Sequence, residues 1–119
     1  MSSRDIRRKY GQNYLKDPAI LFEMGEVISP NDSDNFTEIG PGTGALTNQI
    51  NKENINITAV DIDANNIEIL KKKFKGPANF HFINEDILKF RFKDLEDNQR
   101  IIGNLPYNIS TQIILRLIN

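Results

Sequence analysis

A chain of 119 residues and 13.6 kDa makes one domain at most. With 39% hydrophobic and 26% charged residues it can bury a modest core and stay in solution. Fifteen basic against sixteen acidic side chains give a net charge of −1, which excludes a globally basic nucleic-acid binder but leaves room for a local basic patch. The absence of cysteine excludes a disulfide framework and any Cys-based zinc site, and a single histidine, His81, excludes a multi-His metal site.

The opening residues carry charges but no apolar stretch of the secretory kind. No apolar run approaches the ~20 residues that span a bilayer. We therefore expect a cytoplasmic protein with no membrane segment. Asp17 before Pro18 predicts a helix start, the carboxylate as cap and the proline at the first helical position. Ile20, Leu21, Met24, Val27 and Ile28 follow at helical spacing and predict one apolar face, ended by Ser29-Pro30. A strand is predicted at 36–40, a glycine turn at 40–44 and a helix at 45–52. The next strand, 55–62, ends in Asp61-Ile62-Asp63, and a helix over 65–75 sets Ile67, Leu70 and Phe74 on one side before Gly76-Pro77. A third strand at 80–83 runs into Asn84-Glu85-Asp86. A fourth at 100–103 runs into Asn104-Leu105-Pro106-Tyr107, after which Ser110 caps a last helix.

Strands alternating with helices predict right-handed βαβ units and a mostly parallel sheet, an α/β fold of about four strands. The apolar last helix has no C-terminal cap signal, and the fourth strand would be a bare apolar edge. We expect the chain to be the N-terminal piece of a larger sheet.

Glu38-Ile39-Gly40-Pro41-Gly42-Thr43-Gly44 lies between a predicted strand and a predicted helix. Glycines there permit a tight turn and let backbone N–H groups approach a ligand, although alone they also suit an ordinary strand–helix turn. Asp61, 21 residues beyond Gly40 at the end of the next strand, stands where such folds accept two hydroxyl hydrogen bonds from a ribose. The spacing is G-x-G-x-G rather than the dinucleotide G-x-G-x-x-G, and no Lys-Ser or Lys-Thr follows. That suits a cofactor with an adenosine and no pyrophosphate, and points to S-adenosylmethionine. Asp86, at the carboxyl end of the third strand, can accept a hydrogen bond from the adenine amine, with Ile62 and Ile87 on either side of the ring. A solvated loop aspartate is the plainer alternative.

The lone pair of a nucleobase amine is delocalised into its ring, so the nitrogen is a poor nucleophile. Two acceptors aimed at its N–H bonds draw it toward tetrahedral geometry. The Asn104 side-chain oxygen and the Leu105 carbonyl can be those acceptors, with Pro106 fixing the turn. Tyr107 offers a face for the base, worth ~1–3 kcal/mol by analogy with other base–aromatic stacks. The plainer alternative is a proline turn closing a strand.

Three segments carry a resemblance: Gly11-Gln12-Asn13-Tyr14-Leu15, Glu38 to Thr47, and Gly103-Asn104-Leu105-Pro106-Tyr107-Asn108-Ile109-Ser110-Thr111. Together they resemble the ribosomal RNA adenine dimethyltransferase family, in pattern most like its bacterial small-subunit members. The likeness covers essentially the whole chain, and the nine-residue run is very specific. It implies the Rossmann-like class I S-adenosylmethionine-dependent methyltransferase fold, here its N-terminal half. Residues 1–16 would then be a basic arm with a cofactor-side motif. Residues 17–119 would be the first part of the methyltransferase domain, the remaining strands and a small helical domain being absent. Carried over, the resemblance implies cofactor contacts from Asn13, Leu15, Gly40, Asp61, Asp86 and Asn104, with Gln12 nearby. It gives the target adenine to Asn104, Leu105 and Tyr107. Tyr14 stands where the family usually has Phe, a departure of one hydroxyl.

The implied activity is dimethylation of two adjacent adenosines near the 3′ end of small-subunit rRNA, in ribosome biogenesis. The implied partner is that rRNA or its precursor particle, with no metal and no membrane, the complete protein being a monomer. Two alternatives stay open: a large-subunit rRNA methyltransferase of the erythromycin-resistance type, which often has Ile where Leu105 stands, and a relative that binds nucleic acid without catalysis. Arg4, Arg7, Arg8 and Lys9 are either a solvated tail or phosphate contacts. Lys71, Lys72, Lys73 and Lys75 suit the negative end of a helix dipole, and His81 has a sheet-face role. Nothing demands a general base.

Overall fold

The computed structural model describes residues 17–91 and 99–103 of the chain. The predicted Gln12, Asn13 and Leu15, the basic arm, the Asn104-Leu105-Pro106-Tyr107 motif and the last helix lie outside the described residues.

Helix α1 (Pro18–Ile28) begins as the sequence predicts. The Asp17 carboxylate accepts the Ala19 N–H at 2.9 Å and Pro18 occupies the first turn, where its missing N–H is not needed. It ends at Ser29, left-handed at φ 47°, whose N–H donates to the Gly25 carbonyl. The expected apolar face is corrected. Only Leu21 is buried, while Ile20 is 42% and Val27 85% exposed. Periodicity marks which residues share a stripe, but burial needs a facing surface. Among the described elements α1 packs chiefly on the single turn α2 (Thr47–Ile50). Gly25 is the point of close approach, since a Cβ there would stand 3.1 Å from the Gln49 Cβ.

Strands β1 (Asn35–Ile39), β2 (Asn56–Asp61), β3 (Asn79–Asn84) and β4 (Gln99–Gly103) form one parallel sheet in the order β3-β2-β1-β4. Phe36, Ile57 and Phe80 are register partners and so share a face, as do Glu38, Ala59 and Phe82. Against that face lie Ile50 of α2, Ile55 and Ala78, and, from α3 (Ala64–Lys73), Ile67 and Leu70 with Phe74 just beyond. Helix α3 starts on the Asp63 cap, whose carboxylate accepts the Asn65 N–H at 2.9 Å.

Helix α2 is a single turn rather than the predicted 45–52, because the glycine turn extends to residue 46 and the chain leaves helix at Asn51. The Asn51 side chain is used elsewhere. Its amide donates to the Gly76 carbonyl at 2.7 Å and its oxygen accepts the Ala78 N–H at 3.0 Å.

At the amino-terminal end of the sheet one row consists of amides, with Asn35 in register with Asn56 and Gln99, and Asn56 with Asn79. The Asn56 amide donates to the Asn35 oxygen at 2.9 Å, and Asn79 to Asn56 at 3.2 Å. Gln99 accepts from the buried Thr37 hydroxyl at 3.0 Å. Arg100 joins β4 to the end of α1. Its guanidinium stands 2.8 Å from Asp34, donates to the carbonyls of Ile28 and Ser29, and lies 4.9 Å from the Phe36 ring centroid. Replacing Arg100 with Met keeps the stem but removes these bonds, and is expected to lower stability by about 1–2 kcal/mol. Urea unfolding measures it.

Candidate active site

The order of the strands reverses beside β1, since β2 lies on one side of it and β4 on the other. In open α/β sheets the crevice beyond the carboxyl ends at such a point is where ligands bind. The glycine turn follows β1 at that point. Gly40, Gly42 and Gly44 all take positive φ, at 59°, 60° and 94°. The turn is fixed from below by the Gly40 N–H donating to the Val60 carbonyl at 2.8 Å. At Gly44 a Cβ would stand 2.3 Å from the Phe74 ring, so the turn is packed shut there by the residue that ends α3. At Gly42 a Cβ would meet nothing within 4 Å. That is open space against bare backbone, which a ligand can approach closely. Lys73 reaches the same turn, its ammonium donating to the Thr43 carbonyl at 2.9 Å. Its predicted part as helix-end charge is thereby corrected to a long-range contact, whereas Lys71 stays on its own helix, 3.6 Å from Glu68.

Asp61 ends β2 almost wholly buried, at 1% exposure. One carboxylate oxygen accepts the Gly42 N–H at 3.1 Å and the Asn66 amide at 3.4 Å, and the other accepts the Asp63 N–H at 2.9 Å. The aspartate therefore couples the glycine turn to the end of the second strand. Asn84 couples the third, donating to the carbonyls of Asp61 and Ile62 at 3.0 Å each. Asp86, half-buried just beyond β3, accepts the Leu88 N–H at 2.9 Å. Ile62 is 48% exposed beside it in the chain's next crossover, and Ile87 is half-buried. Gly40, Asp61 and Asp86 thus stand at the carboxyl ends of three adjacent strands, while β4 ends at Gly103 in register with Ile39. His81 is exposed on β3, away from these groups in its strand.

One residue of this edge was not among the predicted contacts. Glu38 is fully buried in β1. One carboxyl oxygen accepts a short hydrogen bond from the Thr47 hydroxyl, and the other, Oε2, has no partner. Burial pushes its pKa up to about 7; the Thr47 bond opposes the rise and the charge of Asp61 adds to it. The available signal was an ionisable residue inside an otherwise apolar strand, two places before the first glycine. Among the described residues no group of three or more His, Asp or Glu side chains could hold a metal ion, and no helix is long and apolar enough to cross a membrane. A surface groove between α1 and α2, lined by Phe22, Gly25, Gln49 and Lys52, includes none of the candidate residues.

A parallel sheet in this order, with a glycine turn after its first strand and carboxylates after the next two, is the class I S-adenosylmethionine-dependent methyltransferase fold. A dimethyladenosine transferase from Plasmodium falciparum superposes with a TM-score of 0.70 and 31% identity, over 87% of this chain and 38% of that one. The 23S rRNA methyltransferase ErmE superposes with a TM-score of 0.68 over 86% of this chain and 41% of that one, and at 23% identity the likeness is one of fold. The family model for ribosomal RNA adenine dimethylase matches residues 3–119, and the chain belongs to that family. The ribosomal RNA small subunit methyltransferase A of Hahella chejuensis is 43% identical over 115 residues, 94% of this chain and 42% of that protein. The chain thus spans less than half the length of the curated relatives it matches.

Proposed function

We propose that the chain is the cofactor-holding part of an enzyme that methylates the exocyclic amines of two adjacent adenosines near the 3′ end of small-subunit rRNA, during ribosome assembly in the cytoplasm. The observation that carries this is the convergence of Gly40, Asp61 and Asp86 on one sheet edge, with Asn104-Leu105-Pro106-Tyr107 directly following β4 at Gly103. Open backbone at Gly42 and an unpartnered buried oxygen on Glu38 fit a ligand that approaches the turn closely and carries a donor group. The cofactor would be S-adenosylmethionine, which supplies an electrophilic methyl group. Asp61 would hold the ribose hydroxyls and Asp86 the adenine amine, with Asn13, Leu15, Gly40 and Asn104 completing the contacts.

The Asn104 oxygen and the Leu105 carbonyl would accept the two N–H bonds of the target amine, freeing its lone pair. Tyr107 would hold the base by stacking. No basic side chain is needed to take the proton afterward, since the methylated amine can release it to water. We infer a monomer when complete, acting on an rRNA-containing particle, with no metal and no membrane. Residues 1–119 alone would be weakly active or inactive.

The full-length protein offered radiolabelled cofactor should label adenines of unmethylated small-subunit particles. Label confined to large-subunit RNA would instead favour the resistance-type activity. No label with cofactor still bound would leave a nucleic-acid-binding relative. Asn104→Ala is expected to lower kcat by about 100-fold or more while RNA binding is nearly kept, since it removes an acceptor used at the reacting nitrogen. A loss confined to RNA affinity would contradict the role given to Asn104.

A further inference from the structure

A buried carboxyl group in a folded chain normally has both oxygens accounted for. Glu38 does not. Thr47 satisfies Oε1, and Oε2 has no partner whichever way the proton is placed. If Glu38 is ionised, Oε2 lacks a donor, and if it is protonated there, the hydroxyl lacks an acceptor. The surroundings say what kind of group is missing. On the same sheet face β2 contributes Ala59, β4 Ile102 and β3 Phe82, all apolar, while α2 contributes the Thr47 hydroxyl. The charged group that acts on Glu38 is Asp61, another acid, and α3 directs Lys73 to the Thr43 carbonyl instead. Two acids near one cavity with no described cation between them call for a cationic donor.

The order of the strand ends says which part of the ligand that is. Under the reading above, adenine goes to Asp86 after β3 and ribose to Asp61 after β2. The next strand in the sheet is β1, which carries Glu38. The part of the cofactor left for β1 is its amino-acid end, which bears an α-ammonium group.

We propose that Glu38 is a cofactor-binding residue whose carboxyl group receives the α-ammonium of the ligand's amino-acid end, and that it gives up its own proton to solvent as the ligand enters. The balance is simple. Glu38–COOH and ligand–NH3+ become a carboxylate–ammonium pair, and one proton leaves to bulk water. No covalent bond to carbon or sulfur changes. The raised pKa supports this, because an acid that titrates near 7 in the empty site holds its proton in mildly acidic solution and loses it readily to a cation. Cofactor affinity is then coupled to pH on the acid side of neutrality, through a residue that does no chemistry on the RNA.

This inference rests on the functional reading, and the experiment separates the two. Titration calorimetry of the full-length protein, in two buffers of different ionisation enthalpy, counts protons released on binding. The probes are S-adenosylhomocysteine and methylthioadenosine, which share the nucleoside thioether but not the amino-acid end. S-adenosylhomocysteine should release a substantial fraction of one proton near pH 6.5, and its affinity should rise by up to about tenfold per pH unit from about pH 5.5 to about pH 7. Methylthioadenosine should show neither effect, and because both probes contain the ribose, any contribution from Asp61 cancels. Glu38→Gln keeps an acceptor for Thr47 but cannot ionise. It should abolish the proton release and lower S-adenosylhomocysteine affinity about tenfold or more, leaving methylthioadenosine unchanged. Equal proton release by both ligands, or none by either, overturns this inference while leaving the functional reading in place. Binding of neither ligand overturns both. The wild-type proton count needs no variant, so the test survives a Glu38→Gln protein that does not fold.

Discussion

Gly44→Ala is expected to destabilise the domain by about 3 kcal/mol or more, whereas Gly42→Ala, two residues away, should cost about 1 kcal/mol. Both glycines sit at positive φ, 94° and 60°, so each alanine carries backbone strain. The difference lies in what the new Cβ meets. At Gly44 it would stand 2.3 Å from Phe74 Cε2, 2.8 Å from Cζ and 3.1 Å from a Leu70 methyl. The ring cannot swing aside easily, because Phe74 ends α3 with its N–H on the Leu70 carbonyl and its ring lies 5.5 Å from that of Phe80. At Gly42 the Cβ enters open space. Gly42→Ala should therefore leave a folded protein whose cofactor affinity is reduced about tenfold or more, since the methyl group occupies the surface the ligand approaches. Guanidinium unfolding of both variants, with ligand binding by the survivor, checks the pair. Equal stability losses would mean that Phe74 does not confine the turn.

Glu38→Gln is expected to stabilise the ligand-free fold at pH 8 by about 3 kcal/mol relative to the parent protein, and to leave it nearly unchanged at about pH 4. The folded chain raises the Glu38 pKa from 4.5 to about 7, so the native state holds a proton that the unfolded chain releases. Below 4.5 both states are protonated and the residue is neutral in the balance. As pH rises through that window the unfolded state ionises first, and stability falls until the native carboxyl also ionises near 7. Glutamine has no such window. The difference between the two unfolding curves should thus open between about pH 4.5 and about pH 7 and then hold constant. A constant difference at all pH values would show that Glu38 is not held in a burial-raised state. The same variant should bind cofactor more weakly, a trade of ligand affinity against the stability of the empty fold.

The parts of this fold legible in the sequence are those whose causes are local. Asp17 caps α1 because its carboxylate needs only the N–H two residues on, and the same holds for Asp63 and Asn65. Apolar strands alternating with helical stripes give the parallel sheet, and the strand boundaries shift by only a residue or so at each end. Gly40, Asp61 and Asp86 could be placed at one edge because parallel strands present all their carboxyl ends on the same side. What the chain alone conceals depends on partners far along it. Val27 belongs to an apolar stripe, yet whether it is covered is decided by elements other than α1. Lys73 looks like a dipole charge until the fold brings Thr43 beneath it, 30 residues away. Glu38 resembles a charged end to a strand motif. Only the packing of Ala59, Phe82 and Ile102 around it, with Asp61 near, turns it into a titrating group.

The row of amides across the amino-terminal end of the sheet bears on how the molecule assembles. Parallel strands arrive from distant parts of the chain, and their apolar interiors, rich in isoleucine and phenylalanine, would accept several alignments. Asn35, Asn56 and Asn79 accept one, because a slip of a single residue would turn each amide to the opposite face and leave its neighbour's hydrogen bond unmade. The row therefore acts as a proofreading step, in which misaligned strands lack their polar partner and come apart again. It does so at the end of the sheet remote from the glycine turn, roughly 13 Å along the strands. Selection can thus retune the loops at the carboxyl ends for a different ligand or base without disturbing the alignment of the strands beneath them.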